Sequence, residues 1–247
     1  MHILNQSLQI NPDYYLLIIM IELSQIQFEY KQSGFRLQFD SMQAESKKAV
    51  ALIGPSGCGK TTLMSLIAGI LPTQGGKILV NNAEINSLTD KQRRLFRIQN
   101  IGFVFQDFAL LEYLNLFENV LHPYRINAAL TLDALVKKRA RDLAERVGIS
   151  KRLKNYPGQT SIGEQQRCAI ARALLNEPSV ILADEPTGNL DPKNKRAILE
   201  ILLQYVQDHE ATLLVATHDY DLLEYFDETV DFKNIRSQES VISDYYT

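Results

Sequence analysis

"GPSGCGKTT" (54–62) decides the fold. Gly54, Pro55, Ser56, Gly57, Cys58, Gly59, Lys60 and Thr61 fit the spacing G-x-x-x-x-G-K-[ST] of a phosphate-binding loop, and Thr62 follows. The context is the one such a loop needs. "KAVALI" (48–53) before it is a continuous apolar run, the pattern of a buried strand. "LMSLIAGIL" (63–71) after it reads as a helix. Glycines there let backbone N–H groups curl around phosphate oxygens, and the helix dipole favours negative charge. Lys60 can reach the β- and γ-phosphates, and Thr61 can ligand Mg²⁺. Cys58 sits in this loop at a helix start.

Working outward, short apolar runs alternate with helical patterns. "MIELSQIQFEY" (20–30) opens the patterned part of the chain, and "GKILVNN" (76–82) reads as a strand. "TDKQRRLFR" (89–97) begins with Thr89 and Gln92 at capping-box spacing, so a helix follows. "IGFVF" (101–105), "SVILA" (179–183) and "TLLVAT" (212–217) are further strands, the last two separated by the helix "KNKRAILEILLQYVQD" (193–208). Alternation of this kind predicts a parallel sheet covered on both faces. Between about 107 and 176 strand signals stop, and the stretch reads as an all-helical insertion. Helices are expected at 115–121, at 131–147 with Gly148 at its C′ position, and from Ser161. "KKRAR" (137–141) is read as a solvated helix face.

Polar residues punctuate the strand ends. Lys60 follows the first strand's loop, Gln106 follows "IGFVF", Asp184 and Glu185 end "VILADE", and His218 follows "LLVAT". In open α/β sheets, ligands bind outside the carboxyl ends of the strands. If these strands share one sheet, the side chains converge on a nucleotide. Adjacent carboxylates after an apolar strand are costly without partners. Asp184 fits the acidic residue that holds Mg²⁺, and Glu185 can then act as general base on the attacking water. His218 is read as a γ-phosphate contact.

"SIGEQQR" (161–167) is a second anion-facing helix start. Ser161 can cap it, Glu164 can close a capping box, and Gly163 lies in the first turn.

Composition sets limits. The 247 residues allow one large domain or a domain with a subdomain, and 45% apolar with 22% charged residues is an ordinary globular mix. A net charge of −3 and a pI near 5.9 argue against nucleic-acid binding through general charge. Two cysteines without metal-ligand spacing suit a reducing compartment. "YYLLIIMI" (14–21) is far shorter than the ~20 residues of a spanning helix. Residues 1–19 are therefore read either as an extra strand or tail, or as lying before a true start at Met20. The chain is expected to be soluble.

In order and spacing, the phosphate loop, Gln106, "SIGEQQR", "ILADEPTGNLD" and "ATHD" make the chain resemble the ATP-binding subunits of ABC transporters, over about residues 20–230. "ADEPTGNLD" and "FALLEYLNLFENV" look most like the branch serving lipoprotein release, macrolide efflux and cell division. The resemblance implies a phosphate-loop NTPase (RecA-like) α/β core with an antiparallel β subdomain and an inserted α-helical subdomain. It makes 1–19 an extension and 20–247 the ATPase domain, with ATP and Mg²⁺ as cofactors. Catalytic roles fall on Glu185, His218, Gln106 and Lys60. Thr61, Gln106 and Asp184 hold the metal. Tyr30 stacks on adenine, with Phe28 as competitor. Ser161 and Gly163 reach the ATP of a second, identical chain, and Asp191 links the two sites. Part of Phe108, Leu110, Leu111, Tyr113 and Leu114 becomes a socket for an integral membrane permease-type partner. No nucleic-acid partner is implied. The place is the cytoplasm, peripheral on the cytoplasmic face of the inner membrane. An exporter-type or force-transmitting ATPase is expected; the alternative is a regulator of a membrane partner controlling an extracytoplasmic hydrolase. Chromosome-maintenance relatives would carry a coiled coil or zinc insertion. The signature departs from Leu-Ser-Gly-Gly-Gln at Ile162 and Glu164, which predicts weaker ATP-driven closure.

Overall fold

All five residues of β3 (Ala49–Ile53) are buried, and they run straight into the phosphate loop. A computed structural model describes residues 18–188, 190–232 and 237–238. β3 lies in a parallel sheet with β6 (Ile101–Val104), β7 (Val180–Asp184), β8 (Thr212–Thr217) and β9 (Glu228–Asp231), in the order β6-β7-β8-β3-β9. Side chains alternate between its faces, as the pleat requires. Val50, Leu52, Leu182 and Leu214 meet α1 (Lys60–Ile67) on one side. Ile181, Ala183, Leu213 and Val215 meet the other helices on the opposite side. Burial on both faces explains why these strands read as continuous apolar runs.

The second sheet is antiparallel in the order β10-β2-β1-β4-β5. Its strands are β1 (Ile19–Glu29), β2 (Arg36–Glu45), β4 (Gly75–Val80), β5 (Ala83–Glu84) and β10 (Ser237–Gln238). It shares the α1-side core with the parallel sheet through Ile21, Leu23, Leu37 and Ile78. β2, β5 and β9 are strands that the sequence reading did not pick out. β2 buries only alternate residues, and β9 is four residues with no apolar run. β1 begins at Ile19, and Met20 is buried. The readings of residues 1–17 lie outside the described residues.

The helices follow their caps. α2 (Asp90–Asn100) starts at the Thr89–Gln92 capping box. α3 (Leu116–Ile126) is capped by Asn115 and runs past the expected end at Leu121, with Pro123 inside it. Leu116, Val120 and Leu121 are buried against the helix α5 (Ile162–Leu174), and the added turn is held by Tyr124, which packs on the same core and accepts from Arg139 at 3.0 Å. α4 (Ala134–Arg146) starts three residues later than expected, because Asp133 and not Thr131 caps it, accepting from the Val136 N–H at 2.8 Å. Gly148 follows it with φ 79°, as a C′ glycine does. α6 (Pro192–His209) joins β7 to β8. α3, α4 and α5 share one core with α6 and the underside of the parallel sheet. On α4, Lys138 pairs with Asp142, Arg139 with Glu177, and Arg141 lies 5.0 Å over the Phe117 ring. The basic run is thus a solvated face with partners.

Candidate functional site: a phosphate cradle at the strand ends

The strand ends of β3, β6 and β7 open on a cleft of about 350 Å³. Ser56, Gly57, Gly59, Lys60, Thr61, Thr62, Gln106, Asp184 and Glu185 line it, with Tyr30, Ser33 and Phe35 on the side of the antiparallel sheet. Parallel pairing of these strands, with β8 between β3 and β7, is what gathers residues 56 to 185 of the chain at one edge.

α1 starts without a side-chain cap and without an acidic residue in its first turn. Its first N–H donors are therefore directed at the cleft and not at a carboxylate. Gly59 precedes it with φ 107°, and a Cβ there would stand 3.0 Å from Leu37 Cδ1. Only glycine suits that position. Lys60 is 6% exposed, and its ammonium donates to the carbonyls of Gly54 at 2.8 Å and Pro55 at 3.0 Å. Gly54, Pro55 and Cys58 shape the loop from behind and do not line the cleft. The Cys58 thiol is buried against the α1-side core, 3.9 Å from the Lys60 ammonium.

Asp184 ends β7 and is 3% exposed. The Thr61 hydroxyl lies beside its carboxylate and favours the charged form. Among the described residues, its Oδ1 has no hydrogen-bond partner. Burial pushes its pKa up, and the neighbouring Glu185 charge adds to that; Thr61 and Lys60 oppose it. A buried carboxylate oxygen without a partner, beside a threonine hydroxyl, is a donor set that Mg²⁺ accepts. No cluster of three His, Cys, Asp or Glu that could hold a metal occurs among the described residues. A cation here would take most of its oxygens from phosphate and water, as Mg²⁺ commonly does.

Glu185 adopts a left-handed backbone, φ 47°, secured by its N–H donating to Ala216 O at 2.9 Å. Positive φ at a non-glycine residue is strained and clusters at functional sites. Its side chain is 11% exposed, and Oε2 lies 2.8 Å from His218 Nδ1. His218 itself is exposed and reaches the cleft through Glu185. Gln106, after β6, lines the cleft. Tyr30 also lines it, whereas Phe28 is buried and sits edge-on to the Tyr30 ring at 4.8 Å.

Ser161, Gly163 and Asp191 do not line this cleft. Ser161 caps α5, and Asp191 caps α6 by accepting from the Asn194 N–H at 3.2 Å. The two helix starts are neighbours. A Cβ on Gly163 would meet Leu190 Cδ2 at 3.8 Å, and Arg167 donates to Asn194 Oδ1 at 3.2 Å.

The sequence reading missed Ser33 and Phe35, which the turn after Tyr30 brings into the cleft. It also missed the Lys195–Asp219 ion pair, 2.6 Å, which ties α6 to the residue after His218. One weak signal was present: Asp219 directly follows the histidine.

Comparison with known proteins agrees with this geometry. The chain matches the family described as "ABC transporter" over residues 37–188. It is 38% identical over 212 residues to the lipoprotein-releasing system ATP-binding protein LolD 1 of Rhodopirellula baltica, covering 85% of this chain and 92% of that one. Against LolD of Colwellia psychrerythraea it is 37% identical over 203 residues, covering 82% and 77%. The solved dimeric post-hydrolysis state of the ATP-binding cassette MJ0796 bound to ADP and Pi superposes with a TM-score of 0.79 at 29% identity, covering 89% of this chain and 98% of that one. With a phosphate cradle at the strand ends and a family match across more than half its length, the chain belongs to the ABC transporter family, as an ATP-binding and ATP-hydrolysing subunit.

Proposed function

We propose that two copies of this chain close on two ATP molecules and thereby drive a membrane-embedded, permease-type partner of the exporter or force-transmitting kind. One observation carries the reading. The chain presents a phosphate cradle in its cleft and a second capped helix start, at Ser161 and Gly163, that does not line that cleft. A second copy is what would bring the two together. Dimeric solved relatives and relatives named for lipoprotein release support it.

Within each site, Tyr30 stacks on adenine and the loop N–H groups hold the phosphates. Lys60 offsets charge on the β- and γ-phosphates. Mg²⁺, when bound, offsets more, and Thr61, Asp184 and Gln106 would hold it. Glu185 takes a proton from water as the water oxygen attacks the γ-phosphorus, and the bond to the ADP oxygen breaks. His218 holds the Glu185 carboxylate and faces the γ-phosphate. Asp191 sits where the two sites communicate.

A groove of about 720 Å³ lies under Phe105 and Ala109, on either side of Gln106. Leu95, Ile98, Phe103 and Ile126 line it. Lys91, Arg94, Arg97 and Arg172 border it, with no Asp or Glu among the described residues lining it. An apolar segment carrying acidic side chains suits it, and we place the membrane partner there. The cluster expected as the socket (Phe108, Leu110, Leu111, Tyr113, Leu114) does not line this groove, and Leu110 packs into the helical core. Docking would hold the chain at the cytoplasmic face of the inner membrane. Among the described residues no helix is long and apolar enough to cross a membrane, which supports a peripheral place.

The test is size-exclusion of Glu185→Gln with and without MgATP, beside phosphate release by the wild type. A MgATP-dependent dimer of the variant, with hydrolysis by the wild type alone, is expected. A variant that binds ATP and stays monomeric overturns the homodimer.

A further inference from the structure

The start of α5 carries a charge of the wrong sign for its proposed task. Glu164 places a carboxylate in the first turn, where a phosphate is to approach, and like charges repel. The structure shows where that charge goes. Glu164 Oε2 accepts from the Ser161 N–H at 2.9 Å and from its hydroxyl at 3.2 Å. Glu164 Oε1 accepts from Arg152 Nε at 2.8 Å. Both carboxylate oxygens are therefore engaged on the chain's own atoms. Arg152 ends a short turn, Ser150–Arg152, just past the left-handed Gly148, with its N–H donating to Ile149 O at 2.8 Å. The turn aims the guanidinium at α5.

We infer that Arg152 is a positioning residue for Ser161, holding the Glu164 carboxylate back on its own helix so that the serine hydroxyl and helix start stay open to the ATP phosphate of a second chain. The inference rests on the dimer proposed above. Three features support it. The Arg152 contact is short and charge-assisted, so it competes well for the carboxylate. The hydroxyl contact, at 3.2 Å, is longer than an ordinary O–H···O bond. The serine proton is thus loosely held and can turn outward, while Ser161 Oγ still accepts from the Glu164 N–H at 3.3 Å. Finally, backbone and side-chain bonds to Ser161, together with Arg152, hold Glu164 below the usual carboxylate range, so it is charged and its charge has to be offset.

The experiment uses the full chain carrying Glu185→Gln. MgATP is titrated, and the dimer fraction is read by sedimentation. Arg152→Gln raises the MgATP needed for half-dimerisation by on the order of tenfold, a few-fold for each exposed ion pair over two copies per dimer. Arg152→Lys restores most of it. With Glu164→Gln also present, Arg152→Gln has no further effect, because no carboxylate is left to hold. Equal shifts with Glu164 and with Gln at that position overturn the inference and make Arg152 merely structural. A parent chain that dimerises and is indifferent to Arg152→Gln overturns the assignment of Arg152 and leaves the dimer standing. A parent that stays monomeric overturns both.

Discussion

His218 Nδ1 stands 2.8 Å from Glu185 Oε2, and β7 and β8, which deliver the two residues, are hydrogen-bonded neighbours in the parallel sheet. The contact fixes the carboxylate of a residue whose backbone is itself held in the left-handed region. Glu185→Gln is expected to lose nearly all phosphate release while still binding ATP, because the amide cannot take a proton. His218→Ala leaves the carboxylate in place and loses its orientation; kcat is expected to fall roughly 100-fold or more. Steady-state phosphate release beside equilibrium nucleotide binding separates the two effects.

Asp184 costs the empty fold stability. Its pKa is raised, by burial first, so the native state holds the proton more tightly than the unfolded chain does. The contribution is fully favourable below the unfolded value and is lost as pH rises through the folded one. Asp184→Asn should therefore melt higher than wild type at neutral pH without nucleotide. The gap should close below about pH 4. The same variant should lose Mg²⁺-dependent hydrolysis, in keeping with the unpartnered Oδ1.

Asp219 runs the other way. The Lys195 hydrogen bond holds its pKa below the usual carboxylate range. A depressed carboxylate stabilises above the unfolded pKa and loses that contribution as pH falls through the folded one. Lys195→Met is expected to cost ~1 kcal/mol at neutral pH. The difference from wild type should shrink below about pH 4. Urea unfolding across pH measures it.

Gly102, in β6, is packed too closely for any side chain. A Cβ would stand 2.5 Å from Ala173 O and 2.8 Å from Pro178 Cγ. Gly102→Ala is expected to destabilise by about 1–3 kcal/mol, read as a lower melting temperature. An unchanged melting point would mean that α5 and β6 separate more easily than their packing implies.

The basic, apolar groove predicts a charge effect on partner binding. Ile126 is 68% exposed and Leu95 40% exposed, so Ile126→Asp and Leu95→Asp should fold. Each is expected to reduce co-purification with the membrane subunit severalfold, since the new carboxylate removes apolar contact, offsets the basic rim and repels the acidic side chains proposed to dock there. Retention of the partner at wild-type level would place docking elsewhere.

Much of the site was legible because its signals are local. "GPSGCGKTT", the carboxylates ending "VILADE", and the Ser161 and Thr89 capping boxes each rest on residues a few positions apart, where backbone geometry dictates the residue type. β2 and β9 were not legible, because a strand with one buried face, or of four residues, carries little periodic signal and is held by its neighbours. The start of α4 turned on which of two nearby residues caps it. Asp133 won through its bond to the Val136 N–H.

By itself the sequence determined the phosphate loop, the two-sided burial of the parallel strands and the capping box that starts the helix at Ser161. These follow from hydrogen-bonding needs and side-chain periods within short windows. Only the tertiary structure decided that Phe28 is core and Tyr30 faces the cleft, that His218 leans on Glu185, and that Arg152 reaches Glu164. Each depends on which strands and turns lie side by side. Pairing across many residues is set by the burial of the whole chain, which no short window contains.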